Sequence, residues 1–139
     1  MSTETNKKII LRIFNEGFSQ GKFEVFDELI SDKFVNHGIP NAPTGINGFR
    51  TIVRQFLNAF PDLKINVEQI IAEGDTVACR GFATGTHDGE FMGVQATGRK
   101  VRFQFVDFWK LSNGRCTENW VQMDISGVMQ QIASLQTAL

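Results

Sequence analysis

Two carboxylates of this chain lie in or beside strongly apolar stretches. Asp107 lies between Phe105 and Trp109, and Asp124 ends a run that contains Trp120. A carboxylate among aromatic side chains is costly to ionise, so it is either paired with a cation or held with a raised pKa. Carboxylates of the second kind serve as general acids and bases. We therefore expect Asp107 and Asp124 to be catalytic.

Each of these carboxylates also has a purely structural interpretation. Asp124 precedes an apolar helical pattern, and Asp is a favoured residue at a helix N-cap. Asp107 lies in the middle of a strand, where an ion pair with Arg80, Arg102 or Lys110 would lower its pKa instead of raising it. Both interpretations stay open for both residues.

Further polar residues lie where a cavity could open. His37 follows Asn36 at the end of an extended stretch, and an imidazole, an amide and a carboxylate that converge form an acid–base set, so His37 is a third catalytic candidate. Arg80 interrupts an apolar strand, which indicates either an ion pair or a ligand oxygen. Of the neighbours Glu118 and Asn119, one faces inward and one outward, and alternation does not decide which. The residues expected to bind substrate are Asn36, Arg80, Gln104, Glu118, Trp120, Phe56 and Phe60.

The composition excludes several functional classes. The 139 residues carry a net charge of −1, which gives no electrostatic footprint for nucleic acid or an acidic membrane surface. The sequence has 13 Phe but no Tyr, and the absence of Tyr excludes any mechanism that needs a phenol side chain. The two Cys and two His have no metal-ligand spacing, so we expect no metal. Cys79 and Cys116 are expected as buried free thiols, and without a signal core or a membrane-length apolar run we expect a cytoplasmic protein.

The elements that must position these residues are helices followed by strands. Periodicity predicts helices over Thr5–Phe18, Phe23–Ile30 and Ile46–Phe60, an extended piece from Phe34 to Gly38, strands over Leu63–Ala72 and Thr76–Thr86, a hairpin within Arg99–Asp124, and a last helix marked by Val128, Met129, Ile132 and Leu135. The hairpin turns at Asn113-Gly114, a pair typical of type I′ turns. Helices segregated from a meander of strands are typical of an α+β fold. We expect one domain over residues 1–139.

The order of several short motifs resembles a known family. They are Asn36-His37-Gly38, Ala59-Phe60-Pro61-Asp62, Gly74-Asp75-Thr76-Val77, the segment from Gly85 to Gly93, Thr97-Gly98-Arg99-Lys100-Val101, Glu118-Asn119-Trp120, and Asp124. From Phe34 to Leu135 this order resembles the SnoaL-like polyketide cyclases of the NTF2-like superfamily. The chain departs from the family pattern at Asn119, where the family often has His, and at Gly81, where it often has Trp.

The resemblance implies both a fold and a reaction. The fold is an NTF2-like α+β cone, with the N-terminal helices packed in the concave face of a strongly curved, mainly antiparallel sheet, a deep apolar pocket, and a homodimer formed through the outer sheet face. The reaction is an intramolecular aldol closure, or related acid–base chemistry on an apolar carbonyl compound, without metal or cofactor. The family's acid on the last strand falls on Asp124, and its polar position early in the cone falls on Asn36 or His37.

Other functions remain open at this stage. The same cone could hold an apolar metabolite without turnover, or serve as a dimerising module. Epoxide hydrolysis within the superfamily needs an Asp-Arg-Asp set, which Asp107, Arg80 and Asp124 could supply. The absence of Tyr disfavours chemistry of the ketosteroid-isomerase type, because that chemistry depends on a phenol donor.

Overall fold

The computed structural model describes residues 2–133, in which helices pack against a five-stranded sheet. In chain order the elements are α1 (Thr3–Arg12), which continues as a π-helical segment (Ile13–Phe18), α2 (Glu24–Leu29), β1 (Ile30–Asn36), α3 (Gly45–Ala59), β2 (Lys64–Glu73), β3 (Thr76–Thr86), β4 (Lys100–Ser112), β5 (Arg115–Met123) and α4 (Ile125–Ala133). Most predicted boundaries agree to within a few residues. The first strand begins earlier than expected, at Ile30, and Leu135 of the predicted last helix lies outside the described residues.

The strands are arranged in the order β1-β5-β4-β3-β2. β1 runs parallel to β5, and the other neighbours are antiparallel. Apolar side chains of the N-terminal helices, among them Ile10, Phe14 and Phe49, pack with Phe105 and Trp109 on the inner sheet face. The predicted α+β architecture, with helices in the concave face of a mainly antiparallel sheet, is confirmed.

Strand β4 has the alternation that its sequence predicts. The residues Val101, Phe103, Phe105, Asp107, Trp109 and Leu111 are buried, whereas the residues between them are exposed. An apolar residue at every second position fixes the register, because a slip by one residue would expose the whole set. β4 therefore carries Asp107 to the inner face.

Strand β5 does not keep a single alternation. Leu111 of β4 pairs with Cys116, but the preceding Lys110 pairs with Glu118, so Thr117 is an extra residue that forms a β-bulge. After the bulge the inward positions are Asn119 and the two alternate residues that follow it, Val121 and Met123. Glu118, Trp120 and Gln122 consequently lie on the outer face.

Gly81 allows β2 and β3 to approach closely. A Cβ at this position would overlap the carbonyl oxygen of Asn66 on β2. The pairing of the two strands shifts beside it, between Val67 and Gln69. The absence of a side chain at Gly81 therefore has a backbone reason.

Within residues 2–133, no helix combines the length and the apolar character that crossing a membrane requires.

Candidate active site

An apolar cavity opens between the helices and the inner face of the sheet. It holds about 640 Å³ of space free of protein atoms, including the part that is open to solvent. Phe14 and Phe18 of the π-helical segment line it, as do residues of α3 and of strands β2 to β5. Of the described residues that line it, three have polar side chains apart from the indole of Trp109, namely Asn36, Asp107 and Asn119. A ligand here meets mostly hydrocarbon and a few oriented polar groups, as is usual for small-molecule sites.

Asp107 is the ionisable residue that lines this cavity. It is 3% exposed, and the Cys79 thiol donates a hydrogen bond to its Oδ1 at 2.7 Å. Burial raises the pKa of Asp107 to about 7, although the Cys79 thiol and the Trp109 indole both favour the ionised form. A carboxyl group with this pKa is present in both protonation states at neutral pH, which suits a general acid or base.

The alternative prediction of an ion pair for Asp107 is wrong. Arg80 lies on the outer face, where its Nη1 is 3.3 Å from Glu68 Oε1. The guanidinium of Arg102 lies over the ring of Phe82, also on the outer face. Lys110 alternates with Asp107 along β4 and is exposed. Among residues 2–133, therefore, no cation offsets the burial of the Asp107 carboxyl.

Trp109 and Asn119 face each other across β4 and β5. Trp109 is 2% exposed, and its Nε1 forms no hydrogen bond with any described residue. The indole N–H is near enough to Asp107 to favour the carboxylate, but it does not reach hydrogen-bond geometry. Asn119 is 3% exposed, and its Nδ2 donates to the carbonyl oxygen of Phe108 at 3.2 Å. Both side chains present polar atoms without a net charge.

The structure separates Asn36 from His37. Asn36 lines the cavity, and its Oδ1 accepts a hydrogen bond from the backbone N–H of Gly38 at 2.9 Å. The His37 side chain is 38% exposed. Its ring stacks on Trp120 with 4.7 Å between ring centroids, and its Nε2 is 2.9 Å from Glu118 Oε1. The expected convergence of His37 with Asn36 and a carboxylate in the cavity is wrong.

The predicted positions of Glu118, Trp120 and Gln104 in the binding pocket are also wrong. The bulge at Thr117 turns Glu118 and Trp120 to the outer face of β5. Gln104 is exposed on the outer face of β4. Of the two Phe residues expected to bind substrate, Phe56 lines the cavity. Phe60 does not, because it is fully buried against Phe91, with 5.2 Å between ring centroids.

Asp124 lies at the start of α4 and not in the cavity. It is exposed, and its Oδ1 accepts a hydrogen bond from the backbone N–H of Gly127 at 2.9 Å. This is the helix-capping interpretation of Asp124. Because Arg80 and Asp124 both lie away from Asp107, the Asp-Arg-Asp set that epoxide hydrolysis would need is not assembled.

Comparison with known proteins places this chain in a family. A model of the SnoaL-like polyketide cyclases matches residues 8–132. The chain belongs to this family. A search of curated protein sequences gave no match.

Solved structures of similar fold agree with this assignment. A candidate SnoaL-like polyketide cyclase from Jannaschia sp. CCS1 is 29% identical, with a TM-score of 0.88 over 95% of this chain and 94% of that chain. IdmH, a candidate polyketide cyclase from Streptomyces antibioticus, is 31% identical, with a TM-score of 0.79 over 92% of this chain and 98% of that chain. AclR, a candidate hydroxylase from Streptomyces galilaeus, is 28% identical, with a TM-score of 0.85 over 96% of this chain and 83% of that chain. The NTF2-like cone fold is thereby confirmed.

Three polar residues in or beside the cavity, Trp109, Cys79 and Asn119, are not among the candidates predicted from the sequence. The sequence predicts Trp109 as part of the apolar surroundings of Asp107, although its position two residues from Asp107 puts its N–H on the same face. The sequence predicts Cys79 as a buried thiol, and its contact with Asp107 follows from the β3–β4 register, in which the two residues pair. The sequence does not show that Asn119 faces the cavity, because the bulge in β5 decides on which face of the sheet its side chain lies.

The described residues 2–133 contain no group of three or more His, Cys, Asp or Glu side chains that could hold a metal ion. The polar groups that line the cavity are one carboxyl, two amides and one indole N–H. This donor set can exchange a proton and donate hydrogen bonds to a neutral oxygen.

Proposed function

We propose that this SnoaL-like protein is a cofactor-independent enzyme in which Asp107 moves protons on an apolar carbonyl compound. The observation that carries the proposal is the Asp107 carboxyl itself, which lines an apolar cavity without a cationic partner and has a pKa of about 7. A carboxyl group buried only for packing would be expected to have a cation or several hydrogen-bond donors.

The reaction that this geometry suits is enolisation followed by carbon–carbon bond formation. The Asp107 carboxylate takes a proton from a carbon beside a carbonyl, and a carbon between two carbonyls is acidic enough for such a base. The amides of Asn36 and Asn119 face the same cavity and can donate to the developing enolate oxygen. The enolate carbon then attacks a second carbonyl of the same molecule, and this new carbon–carbon bond closes a ring. Asp107 returns its proton to the alkoxide that the attack forms.

The test is proton exchange on a simple probe. Ethyl benzoylacetate in D₂O loses its central protons at a rate that NMR measures directly, after subtraction of the rate without protein. We expect the wild-type protein to accelerate this exchange and Asp107→Asn to lower the acceleration by about 10²–10⁴-fold. Asp124→Asn is the matched control, because it makes the same change at an exposed helix cap. Full acceleration in Asp107→Asn would overturn the proposal.

A binding function without turnover is the second candidate. It is favoured by the cavity lining, in which nearly every side chain is apolar. In that case ethyl benzoylacetate would bind in the cavity but exchange no faster than in buffer. The exchange measurement therefore distinguishes the two functions.

The outer sheet face supports a homodimer as part of the same proposal. Ile71, Val106 and Phe108 lie on this face, and each has about half of its surface exposed. Val106 and Phe108 are alternate residues of β4, so their side chains form a continuous apolar stripe. A patch of this kind is commonly covered by a partner, and a two-fold contact between copies would bury it twice.

A further inference from the structure

The indole N–H of Trp109 is a buried hydrogen-bond donor without an acceptor. Trp109 is 2% exposed and lines the apolar cavity, and its Nε1 forms no hydrogen bond with any described residue. Buried N–H groups of Trp are normally satisfied, because an unpaired donor loses its hydrogen bonds to water on burial. An exception in a cavity wall indicates that a ligand supplies the acceptor.

The protein groups beside this N–H do not take that place. Asp107 is two residues away on the same face of β4, but its Oδ1 accepts from the Cys79 thiol and neither of its oxygens accepts from Trp109 with hydrogen-bond geometry. Asn119, across the β4–β5 pair, donates its Nδ2 to the Phe108 carbonyl oxygen, and its Oδ1 does not accept from the Trp109 N–H. The Trp109 N–H is therefore left for a molecule in the cavity.

The surroundings define the chemistry of the acceptor. No Lys, Arg or His among the described residues lines the cavity, and Asp107 becomes negative as it ionises, so an anionic carboxylate is disfavoured as a ligand. The wall around Trp109 includes the rings of Phe14, Phe49 and Phe105. Aromatic rings pack favourably against such a wall. The fitting ligand is thus an aromatic molecule with a neutral oxygen acceptor.

We infer that Trp109 Nε1–H binds the carbonyl oxygen of an aromatic ligand and holds that carbonyl beside Asp107. This assignment deepens the proposed function and relies on it for the location of the ligand. It makes Trp109 a ligand-binding residue that orients the carbon next to the carbonyl toward the base. The binding step itself involves no proton transfer, so binding can be tested apart from turnover.

The experiment compares two probes of nearly equal shape. In 2-acetylnaphthalene a carbonyl oxygen stands where 2-isopropenylnaphthalene has a CH₂ group. The protein carries Trp120→Phe, which leaves Trp109 as its single Trp and alters a side chain on the outer face. The measurements are made at pH 8.5, where Asp107 is mostly ionised and therefore has little O–H to donate to the ketone oxygen. With ¹⁵N-labelled indole, we expect the ketone to move the Trp109 Nε1–H proton resonance downfield and to bind about fivefold more tightly than the alkene.

A second protein removes the donor without changing the shape of the side chain. Biosynthetic replacement of Trp109 by benzothienylalanine, in the same Trp120→Phe background, puts sulfur in place of the N–H. We expect the ketone to lose its advantage while the alkene binds as before. A ketone preference that survives this replacement, or an indole resonance that the ketone does not move, would overturn the inference and leave the proposed function standing. If neither probe enters the cavity, the inference fails, whereas the proposed function would still be decided by the Asp107→Asn exchange measurement.

Discussion

At the residue scale, the pKa of Asp107 results from one dominant cause and two smaller opposing causes. Burial raises the pKa to about 7, and the Cys79 thiol and the Trp109 indole lower it. The pKa of the Cys79 thiol is itself raised, by burial first and then by the charge of Asp107, so Cys79 stays a neutral donor. The pKa of Asp107 is thus set mainly by burial, and the hydrogen bond from Cys79 on the neighbouring strand is one of the two contacts that lower it.

Removal of that thiol has a predictable effect on the pH dependence. In Cys79→Ala the ionised form of Asp107 loses a donor, so its pKa rises and the base form appears only at higher pH. We expect the midpoint of the pH–rate curve for exchange on ethyl benzoylacetate to move upward relative to wild type. Cys79→Ser, which keeps a donor, should move the midpoint less.

The control for this prediction is Cys116→Ala. Cys116 is also buried on the inner face, but the hydrogen bond to Asp107 comes from Cys79. The midpoint of the pH–rate curve of Cys116→Ala should stay at the wild-type value. Equal midpoints in Cys79→Ala and wild type would show that the thiol does not tune Asp107.

At the scale of elements, strand irregularities decide which residues reach the site. The alternation of β4 is unbroken, so the inward direction of Asp107 could be predicted from the sequence. In β5 the bulge at Thr117 exchanges the faces of Glu118 and Asn119, and bulges carry no simple sequence signal. The direction of Asn119 therefore could not be predicted from alternation, and the same bulge removed Glu118 and Trp120 from the predicted site.

The close approach of β2 and β3 at Gly81 gives a prediction at this scale. A Cβ at Gly81 would overlap the Asn66 carbonyl oxygen, and the backbone cannot move aside as a flexible side chain would. We expect Gly81→Ala to lower the free energy of unfolding by about 2–3 kcal/mol in urea titrations.

Thr84→Ala on the same strand is the comparison for Gly81→Ala. It shortens a half-buried side chain and adds no atom near another backbone, so it should cost less than about 1 kcal/mol. A smaller loss for Gly81→Ala than for Thr84→Ala would contradict the role given to the close strand approach.

At the scale of the whole molecule, the inner sheet face lines the apolar cavity and the outer sheet face carries exposed apolar side chains. The helices, the inner sheet face and the resemblance to SnoaL-like proteins could all be predicted from periodicity and motif order. For Arg80 and Asp124 the sequence left a site role open beside the ion pair and the helix cap that the structure shows, and for His37 it predicted a catalytic role. The choice depends on where a strand ends or on which face of the sheet a residue lies. In the structure all three side chains form surface contacts.

The outer face gives the prediction for assembly. If two copies meet through Val106 and Phe108, a charge in the middle of the stripe should prevent association, because it would be buried without a partner. We expect light scattering coupled to size-exclusion chromatography to give twice the 15.6 kDa chain mass for wild type and a single chain mass for Phe108→Lys. Gln104→Lys, an exposed change on the same face of β4, should remain dimeric. A monomeric wild-type protein would refute the dimer.

The central claim is that the cavity holds a carboxyl group that is half protonated near neutral pH. A ¹³C NMR titration of protein labelled at the aspartate carboxyl carbons measures this without any substrate. We expect one resonance to titrate with a midpoint of about 7 and to be missing from Asp107→Asn. If every aspartate resonance of the folded protein instead titrates below about pH 5, as ordinary carboxyl groups do, Asp107 is not a proton-transfer group of the kind described here.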